Sequence, residues 1–333
     1  MNVVKWLSVR VIICIVVGLV ALSTALYLVV QFNPWPSSLI LRRAMNGGGL
    51  ARALEKHVPS GINAVLNERY RVDDPDASLD VFSPLATGSE EAFPTIIWIH
   101  GGAWLGGSKD QVANYLKILA SRGYTTIGVN YSLAPGTIYP AQLLQIDAAL
   151  DHIVRNAARL HVDPGKLFLA GDSSGAQMAA QIAAMLSAPD YARTVGFAGS
   201  IKRSQLRGVI LYCGSYDFQK MKIGPGGIET ALWAYIGDKA FRDGPQIEQL
   251  SVAHHVTGAF PPIFISVGNA DWLAPQSRIF ADVVQAQGGQ VERFFVPEDH
   301  LPKAYHEFQF DLDSDAGQSA MERSVGFIQR SSR

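Results

Sequence analysis

The sequence has 333 residues, of which 48% are hydrophobic and 17% charged, with a formal net charge of −1. This length and composition allow one large domain with a substantial core and argue against extensive disorder. No basic stripe accompanies the near-zero charge, so nucleic-acid binding is excluded as a function class. The cysteines, Cys14 and Cys213, lie in an apolar N-terminal run and a strand-like segment. They cannot plausibly pair, and neither has the spacing of a structural zinc site.

The N-terminal region predicts a membrane segment. Residues 11–30 contain no charge and follow Lys5 and Arg10. As a helix this run would span roughly 30 Å, the thickness of one bilayer core. It exceeds the apolar region of about 7–15 residues of a signal peptide, so an uncleaved anchor is favoured and a cleaved signal is the alternative. Lys5 and Arg10 favour an inside N-terminus, which places the remaining chain on the extracytoplasmic side, while Arg42 and Arg43 on the other side of the run reduce this bias.

The segment after the apolar run carries two arginines and no acidic residue before Glu55. Arg42 and Arg43 either rest on anionic head groups or form a solvated helix face. A short helix is predicted for residues 37–45, and the glycines at 47–49 end it.

Further along the chain, strand-like and helix-like segments alternate. A pair of opening strands is predicted within residues 68–82, around a turn at 73–76. The later predicted strands are residues 95–100, 125–130, 166–170, 206–213, 262–267 and 291–296, and the predicted helices are residues 111–122, 141–159, 176–186, 276–287 and 318–329.

This alternation predicts a mostly parallel, twisted sheet with helices on both faces. Residues 189–205 and 215–260 do not fit the alternation and are predicted to form a cap or rim. The predicted organisation is an anchor or signal at residues 1–33, a juxtamembrane or cap segment at 34–66, and a catalytic domain at 67–333 with a small cap insertion around 215–260.

The strongest chemical signal is Gly-Asp-Ser-Ser-Gly at residues 171–175, between a buried strand and an apolar helix. A tight strand-to-helix turn would hold Ser173 in strained backbone geometry, and Gly171 and Gly175 would remove side chains that collide with neighbouring elements. The helix N-terminus would offer free N–H groups to a developing anion. Ser173 is therefore the predicted nucleophile.

A second loop follows an earlier strand as His-Gly-Gly-Ala-Trp at residues 100–104. An oxyanion hole needs backbone N–H donors that approach the substrate closely, which favours small residues after a strand. The predicted hole comprises Gly101, Gly102, Ala103 and Ser174. In it Gly102, Ala103 and Ser174 are the donors and Gly101 lets the loop turn. His100 precedes the nucleophile and is predicted to order the loop.

The acid of a catalytic triad is expected in a loop after a later strand. Asp271 follows the apolar segment 262–267 and a turn, and would hold the tautomer of the base. Asp217, after the preceding strand, is the alternative. Asp172 is predicted to hydrogen-bond the elbow or the cap, and His254 and His255, which precede the acid, to be structural.

With these residues the chain resembles the α/β-hydrolase fold and, within it, the esterases similar to hormone-sensitive lipase. The resemblance covers about residues 68–330 and rests on the motifs at residues 100–103, 131–135, 139–140 with Asp147, 171–175 and 268–271. Ala103 and Ser132 depart from the common pattern, and residues 100–104 also resemble kynurenine formamidases and feruloyl-esterase-like proteins. The resemblance implies an α/β-hydrolase fold and a carboxylesterase.

The resemblance also narrows the choice of base. In this fold the histidine follows the acid, which leaves His300 and His306. His306 is followed by Glu and Phe, matching the His-x-Phe pattern of these hydrolases, whereas His300 lies closer to the family's common spacing from Asp271. His306 is favoured, with His300 bracing the loop.

The predicted function is therefore hydrolysis of a small-molecule carboxylic ester by Ser173, Asp271 and His306, with neither cofactor nor metal. The alternatives are an aryl-formamidase or amidase, and a binding protein on a disabled hydrolase scaffold. The sequence does not indicate the oligomeric state.

Overall fold

The computed structural model describes residues 2–46, 49–85, 91–224 and 226–333. Within these ranges a single sheet forms the centre of the molecule, and its strands are β1 (Ile62–Arg69), β2 (Ser78–Pro84), β3 (Phe93–Ile99), β4 (Thr125–Val129), β5 (Val162–Asp172), β6 (Leu206–Tyr212), β7 (Ile263–Val267) and β8 (Val291–Phe295). The α-helices are α1 (Asn2–Phe32), α2 (Trp35–Met45), α3 (Gly49–Leu54), α4 (Lys109–Ala120), α5 (Ala141–Arg155), α6 (Ser174–Ser187), α7 (Pro189–Val195), α8 (Gly227–Ile236), α9 (Pro245–Leu250), α10 (Ala274–Ala286) and α11 (Asp315–Ser331).

The sheet has the strand order β1-β2-β4-β3-β5-β6-β7-β8. β2 is antiparallel to both of its neighbours, and the pairs from β4 to β8 are parallel. The central strands are apolar runs buried on both faces, as expected where helices cover a parallel sheet on each side. This architecture confirms the predicted α/β-hydrolase fold. The carboxyl ends of the parallel strands meet at one edge, which gathers the loops after β3, β5, β6, β7 and β8.

The opening strand differs from its prediction. β1 begins at Ile62, six residues before the predicted start at 68, so the sheet already begins within the predicted 34–66 segment. Among the described strands β1 pairs with β2 alone, and most of its side chains are exposed. An edge strand with few buried positions lacks the apolar alternation by which strands are recognised in a sequence.

Short helices occupy the two stretches that broke the strand–helix alternation. α7 lies in residues 189–205, and α8 and α9 lie in residues 215–260. α8 packs against the rest of the domain at the carboxyl edge of the sheet. The Tyr139 N–H donates to the Tyr235 carbonyl at 2.8 Å, and the Tyr235 ring stacks on Trp104 with ring centroids 4.8 Å apart. α8 therefore lies against the loops that follow β3 and β4 at this edge.

The N-terminal helix extends away from this domain. Residues 10–32 form a helix long and apolar enough to cross a membrane, and the side chains of residues 10–29 are exposed. Only Asn33 and Pro34 separate α1 from α2. At its end, Gln31 accepts hydrogen bonds from the Lys239 ammonium through its carbonyl at 2.5 Å and its Oε1 at 2.9 Å.

Candidate active site

Ser173 occupies a sharp turn between β5 and α6. Its backbone has φ 51° and ψ −119°, a conformation that non-glycine residues rarely adopt. The Ser173 N–H donates to the Tyr212 carbonyl at 2.8 Å, which ties the turn to the end of β6. Such strain persists only where the surroundings fix the backbone, and it is common at functional sites. The structure therefore presents Ser173 in the geometry expected of a nucleophile elbow.

The two glycines of this turn are required by close backbone packing. A Cβ at Gly175 would lie 2.0 Å from the Ile99 carbonyl oxygen, and a Cβ at Gly171 would lie 2.5 Å from the Gly175 carbonyl carbon. Neither clash can be relieved by moving a flexible side chain, because both partners are backbone atoms. α6 can thus begin directly beside the end of β3.

A hydrogen-bonded chain joins Ser173 to His306 and Asp271. The Ser173 Oγ lies 3.0 Å from His306 Nε2. His306 Nδ1 lies 3.1 and 3.0 Å from the two carboxylate oxygens of Asp271. With Nδ1–H donating to the carboxylate, Nε2 is the nitrogen left to accept the serine proton. The three residues come from the loops after β5, β7 and β8.

The other histidine considered as the base lies apart from this chain. The carbonyl of His300 accepts a hydrogen bond from Asn269 Nδ2 at 3.0 Å. Within the described residues, no hydrogen bond joins the His300 imidazole to Ser173 or Asp271. His300 nonetheless lines the same cavity as His306, a space of about 790 Å³ bounded also by α3 and the start of α11. His300 thus lies in the same loop as His306 but outside the hydrogen-bonded chain that includes Ser173 and Asp271.

Asp217, the alternative acid, has different partners. Its carboxylate accepts the Lys220 N–H at 3.0 Å and lies 3.2 Å from the Lys220 ammonium and 3.4 Å from His254. His255 Nε2 lies 3.0 Å from the Glu248 carbonyl. Asp217, His254 and His255 therefore belong to the cap region, apart from Ser173.

The surroundings of His306 alter its acidity. Burial by itself lowers the pKa of His306, but the Cys213 sulfur and the Asp271 carboxylate outweigh burial and hold the pKa above its ordinary value of 6.5. Burial also raises the pKa of the Cys213 thiol to about 11, while His306 acts to lower it. The Asp271 carboxylate, hydrogen-bonded to Nδ1, favours the imidazolium form of His306.

Cys213, Asp271 and His306 also form a group that could in principle ligate a metal. One ligand atom from each lies within 4.8 Å of the others. The imidazole of this group is already held between Asp271 and Ser173. A metal ion here would have to compete with those hydrogen bonds.

The loop after β3 presents free backbone donors beside Ser173. Gly102 and Ala103 have φ of 115° and 51°. Within the described residues, the N–H groups of Gly102, Ala103 and Ser174 donate to no other protein group. The Gly101 N–H is different, because it donates to Asp172 Oδ2 at 2.9 Å. Gly101, included in the predicted oxyanion hole, thus shapes the loop and has no N–H left for an anion.

Asp172 links the elbow to this loop. Besides Gly101, its carboxylate accepts a hydrogen bond from Trp98 Nε1 at 2.8 Å. Burial raises the pKa of Asp172 to about 8, and the negative charge of Glu307 adds to the increase. The predicted role of Asp172 at the elbow therefore extends to holding the neighbouring loop.

His100 orders the same loop from within the core. Its Nδ1 lies 2.8 Å from the Gly101 carbonyl, and its ring stacks on Tyr131 at 4.3 Å. Burial lowers the pKa of His100 to about 4, so the imidazole is neutral and can donate to that carbonyl.

Sequence reasoning missed a contribution from α2 to the loop. Arg42 is half-buried, and it donates from Nε to the Leu105 carbonyl at 2.6 Å and from a terminal nitrogen to the Ala134 carbonyl at 2.8 Å. Asn46 Oδ1 accepts the Gly107 N–H at 2.8 Å. Arg42 is thus neither a head-group contact nor a solvated residue. The available signal was helical spacing, because it places Arg42 on the same helix face as Ser38 and Met45 and places Arg43 on a different face.

Comparison with known proteins agrees with this architecture. A family model described as BD-FAE matches residues 79–282. The chain belongs to the BD-FAE family. A curated relative of this BD-FAE chain, esterase LipQ of Mycobacterium tuberculosis, is 27% identical over 219 residues, covering 65% of this chain and 50% of LipQ. The probable carboxylic ester hydrolase LipM of the same organism is 25% identical over 233 residues, covering 68% and 52%. The chain spans about half the length of these relatives.

Solved structures share the fold of this BD-FAE member. Esterase B from Lactobacillus rhamnosis, inhibited by a tributyrin phosphonate, aligns with a TM-score of 0.74 and 23% identity, covering 89% of this chain and 96% of that one. A bacterial heroin esterase aligns with a TM-score of 0.66 and 19% identity, covering 85% and 89%. At these identities the likeness establishes the shared fold.

Proposed function

We propose that this protein is a carboxylic-ester hydrolase whose nucleophile, base and acid are Ser173, His306 and Asp271. The observation that carries the proposal is the hydrogen-bonded chain from the Asp271 carboxylate through His306 to the Ser173 hydroxyl, which lies on a strained elbow. The names of the curated relatives, an esterase and a probable carboxylic ester hydrolase, support the same reaction class.

The chemistry follows from this arrangement. His306 Nε2 accepts the Ser173 proton as Oγ bonds to the ester carbonyl carbon, and Asp271 stabilises the resulting imidazolium. The free N–H groups of Gly102, Ala103 and Ser174 are the donors for the tetrahedral oxyanion. When the intermediate collapses, the carbon–oxygen bond to the alcohol breaks and His306 returns the proton to it. Water, deprotonated by His306, then adds to the acyl carbon; the bond from that carbon to the Ser173 Oγ breaks, His306 returns the proton to Oγ, and the carboxylic acid leaves.

Two measurements test this proposal. The purified protein should react stoichiometrically with a fluorophosphonate probe, because an activated serine attacks phosphorus as it attacks a carbonyl. A binding protein on a hydrolase scaffold would leave the probe unreacted. A panel of esters of increasing acyl length, run beside aryl formamides, then separates the two hydrolase classes. Faster turnover of formamides than of every ester would replace the esterase assignment by an amidase.

The acid limb of the pH profile is expected above pH 6.5. Only neutral His306 can accept the Ser173 proton, and the nearby carboxylate raises its pKa, so kcat/KM should rise with pH through that raised pKa. Asp271→Asn removes the negative charge, so the limb should move to lower pH while kcat falls by about 10⁴-fold from loss of the correct tautomer. The measurement is kcat/KM against pH for both proteins. If the acid limb of Asp271→Asn lies at the same pH as that of the unchanged protein, Asp271 is not the cause of the raised His306 pKa.

We further propose that α1 anchors the protein in a membrane, with the catalytic domain on the extracytoplasmic side. The support for an anchor is the length of the apolar run, residues 10–32, and the exposure of its side chains. Lys5 and Arg10 before the run support the orientation.

The full-length chain should remain with membranes after a high-salt wash, because burial of about twenty apolar residues is not an electrostatic attachment. A chain beginning at Pro34 should be far more soluble and retain α2. The measurement is fractionation followed by N-terminal sequencing. Full-length protein in the soluble fraction would contradict the anchor, and soluble protein lacking about thirty residues would indicate a signal peptide instead.

A further inference from the structure

Helix α2 has two different faces. Its inner face lies against the catalytic domain: Ser38 is fully buried, Leu41 contacts the start of α8 at Gly227, and Arg42 binds the carbonyls of Leu105 and Ala134. The inner face therefore accounts for the attachment of α2 to the domain.

The outer face of α2 is apolar and largely exposed, although one edge of the Trp35 ring lies near Gly136. Trp35, Leu39 and Ile40 are 44%, 51% and 71% exposed, and the exposed Arg43 follows on the same side. On a soluble helix this side would be polar. An exposed row of Trp, Leu and Ile with a cation beside it is the composition of a helix that lies in a membrane interface.

The position of α2 next to α1 fits this interpretation. Two residues join the helices, so the start of α2 lies within a few ångströms of the end of the apolar span. The Lys239 ammonium, hydrogen-bonded to Gln31, also lies 5.9 Å from the Phe32 ring centroid and 5.1 Å from that of Trp233. Aromatic and cationic side chains at the end of a span are typical of the membrane–water boundary.

We propose that the outer face of α2, formed by Trp35, Leu39, Ile40 and Arg43, binds the surface of a phospholipid bilayer. The apolar side chains enter the interfacial layer, and Arg43 meets lipid phosphates. This proposal rests on the anchoring of the chain by α1. It adds a second contact, because α2 on the bilayer would hold the domain against the membrane surface, whereas α1 alone would leave the domain tethered.

The test measures depth in the bilayer on the full-length chain. In a Cys14→Ser background, Ile40→Cys is labelled with an environment-sensitive fluorophore and reconstituted into phosphatidylcholine–phosphatidylglycerol vesicles containing lipids with a nitroxide near the head group. Lys202→Cys, exposed before β6 at the opposite end of the sheet, is the matched control. We expect the nitroxide to quench the label at position 40 several-fold more strongly than the label at 202.

Equal quenching at positions 40 and 202 would overturn the proposal. Native Cys14, labelled in the otherwise unchanged chain, separates this failure from a failure of the anchor. Quenching of the Cys14 label by deep nitroxides, together with an unquenched position 40, would retain the anchor and reject the α2 surface. Matching thermal unfolding midpoints among the labelled proteins ensures that a folded domain is compared.

A second inference concerns Arg42, and its hydrogen bonds carry it independently of any membrane. We infer that Arg42 is a positioning residue for the oxyanion loop of the proposed esterase. Its two acceptors, Leu105 and Ala134, belong to the turn directly after Ala103 and to a neighbouring loop. A shift of the oxyanion donors by about 1 Å is enough to cost on the order of 10²-fold in rate.

Arg42→Ala should lower kcat by about 10- to 100-fold with little change in KM, because the donors act on the transition state. Arg42→Lys, which can keep one of the two bonds, should recover part of that loss. Rates are expressed per fluorophosphonate-titrated site, so a smaller folded fraction cannot imitate the effect. Unchanged kcat per site in Arg42→Ala would overturn the inference. Failure of the unchanged protein to react with the fluorophosphonate would instead contradict Ser173 as the nucleophile.

Discussion

Ser173→Ala is expected to lower kcat by about 10⁴-fold or more and to abolish fluorophosphonate labelling. The substitution removes the oxygen that lies 3.0 Å from His306 Nε2, the proposed nucleophile, and leaves a small side chain at the elbow. The measurement is ester hydrolysis under saturating substrate, with labelling as a second readout.

Ser174→Ala is the comparison for this result. In the proposed mechanism Ser174 contributes its backbone N–H, and its hydroxyl accepts a 3.3 Å hydrogen bond from the Trp104 N–H. Losing one such bond costs about 1 kcal/mol, or about fivefold in rate. An inactive Ser174→Ala beside an active Ser173→Ala would transfer the nucleophile to the neighbouring residue.

His306→Ala is expected to reduce hydrolysis by a similar factor of about 10⁴ or more, because the residues of a triad act as one unit. His300→Ala should retain a clearly measurable rate, since its imidazole has no hydrogen bond to Ser173 or Asp271 among the described residues. The measurement is kcat for the two variants, prepared together with equal unfolding midpoints. The reverse pattern would make His300 the base and leave the rest of the mechanism in place.

The sequence was sufficient to predict the fold and the edge of the sheet at which the candidate site lies. Parallel strands with apolar runs on both faces are recognisable in a sequence, and their carboxyl ends meet at one edge, so the loops bearing Ser173, Asp271 and His306 had to converge. The choice between His300 and His306 needed three-dimensional geometry. The two lie six residues apart in one loop, and the path of that loop depends on its packing against α11, where Ala304 and Phe308 cluster with Ala316 and Ala320.

Residues that act across long sequence distances were harder to predict. The observed start of β1, at Ile62, precedes the start predicted at residue 68, because an edge strand exposes most of its side chains and so lacks a clear apolar pattern. Helical spacing groups Arg42 with Ser38, but a short helix with apolar residues on both faces does not reveal which of those faces packs against the domain. The hydrogen bond that the Gly101 N–H donates to Asp172 joins residues 71 positions apart, a pairing that no local pattern encodes.

That bond also bears on how this scaffold can be engineered. Asp172 holds Gly101, and the Cβ-free Gly175 sits against Ile99, so the elbow and the oxyanion loop fit each other as a matched pair. If only the elbow or only the oxyanion loop were exchanged for that of a related hydrolase, the Asp172 carboxylate could lose its partner 2.9 Å away, or a side chain at position 175 could lie about 2.0 Å from the Ile99 carbonyl oxygen. Chimeras and combinatorial libraries built on this chain should therefore transfer residues 99–107 and 171–175 together.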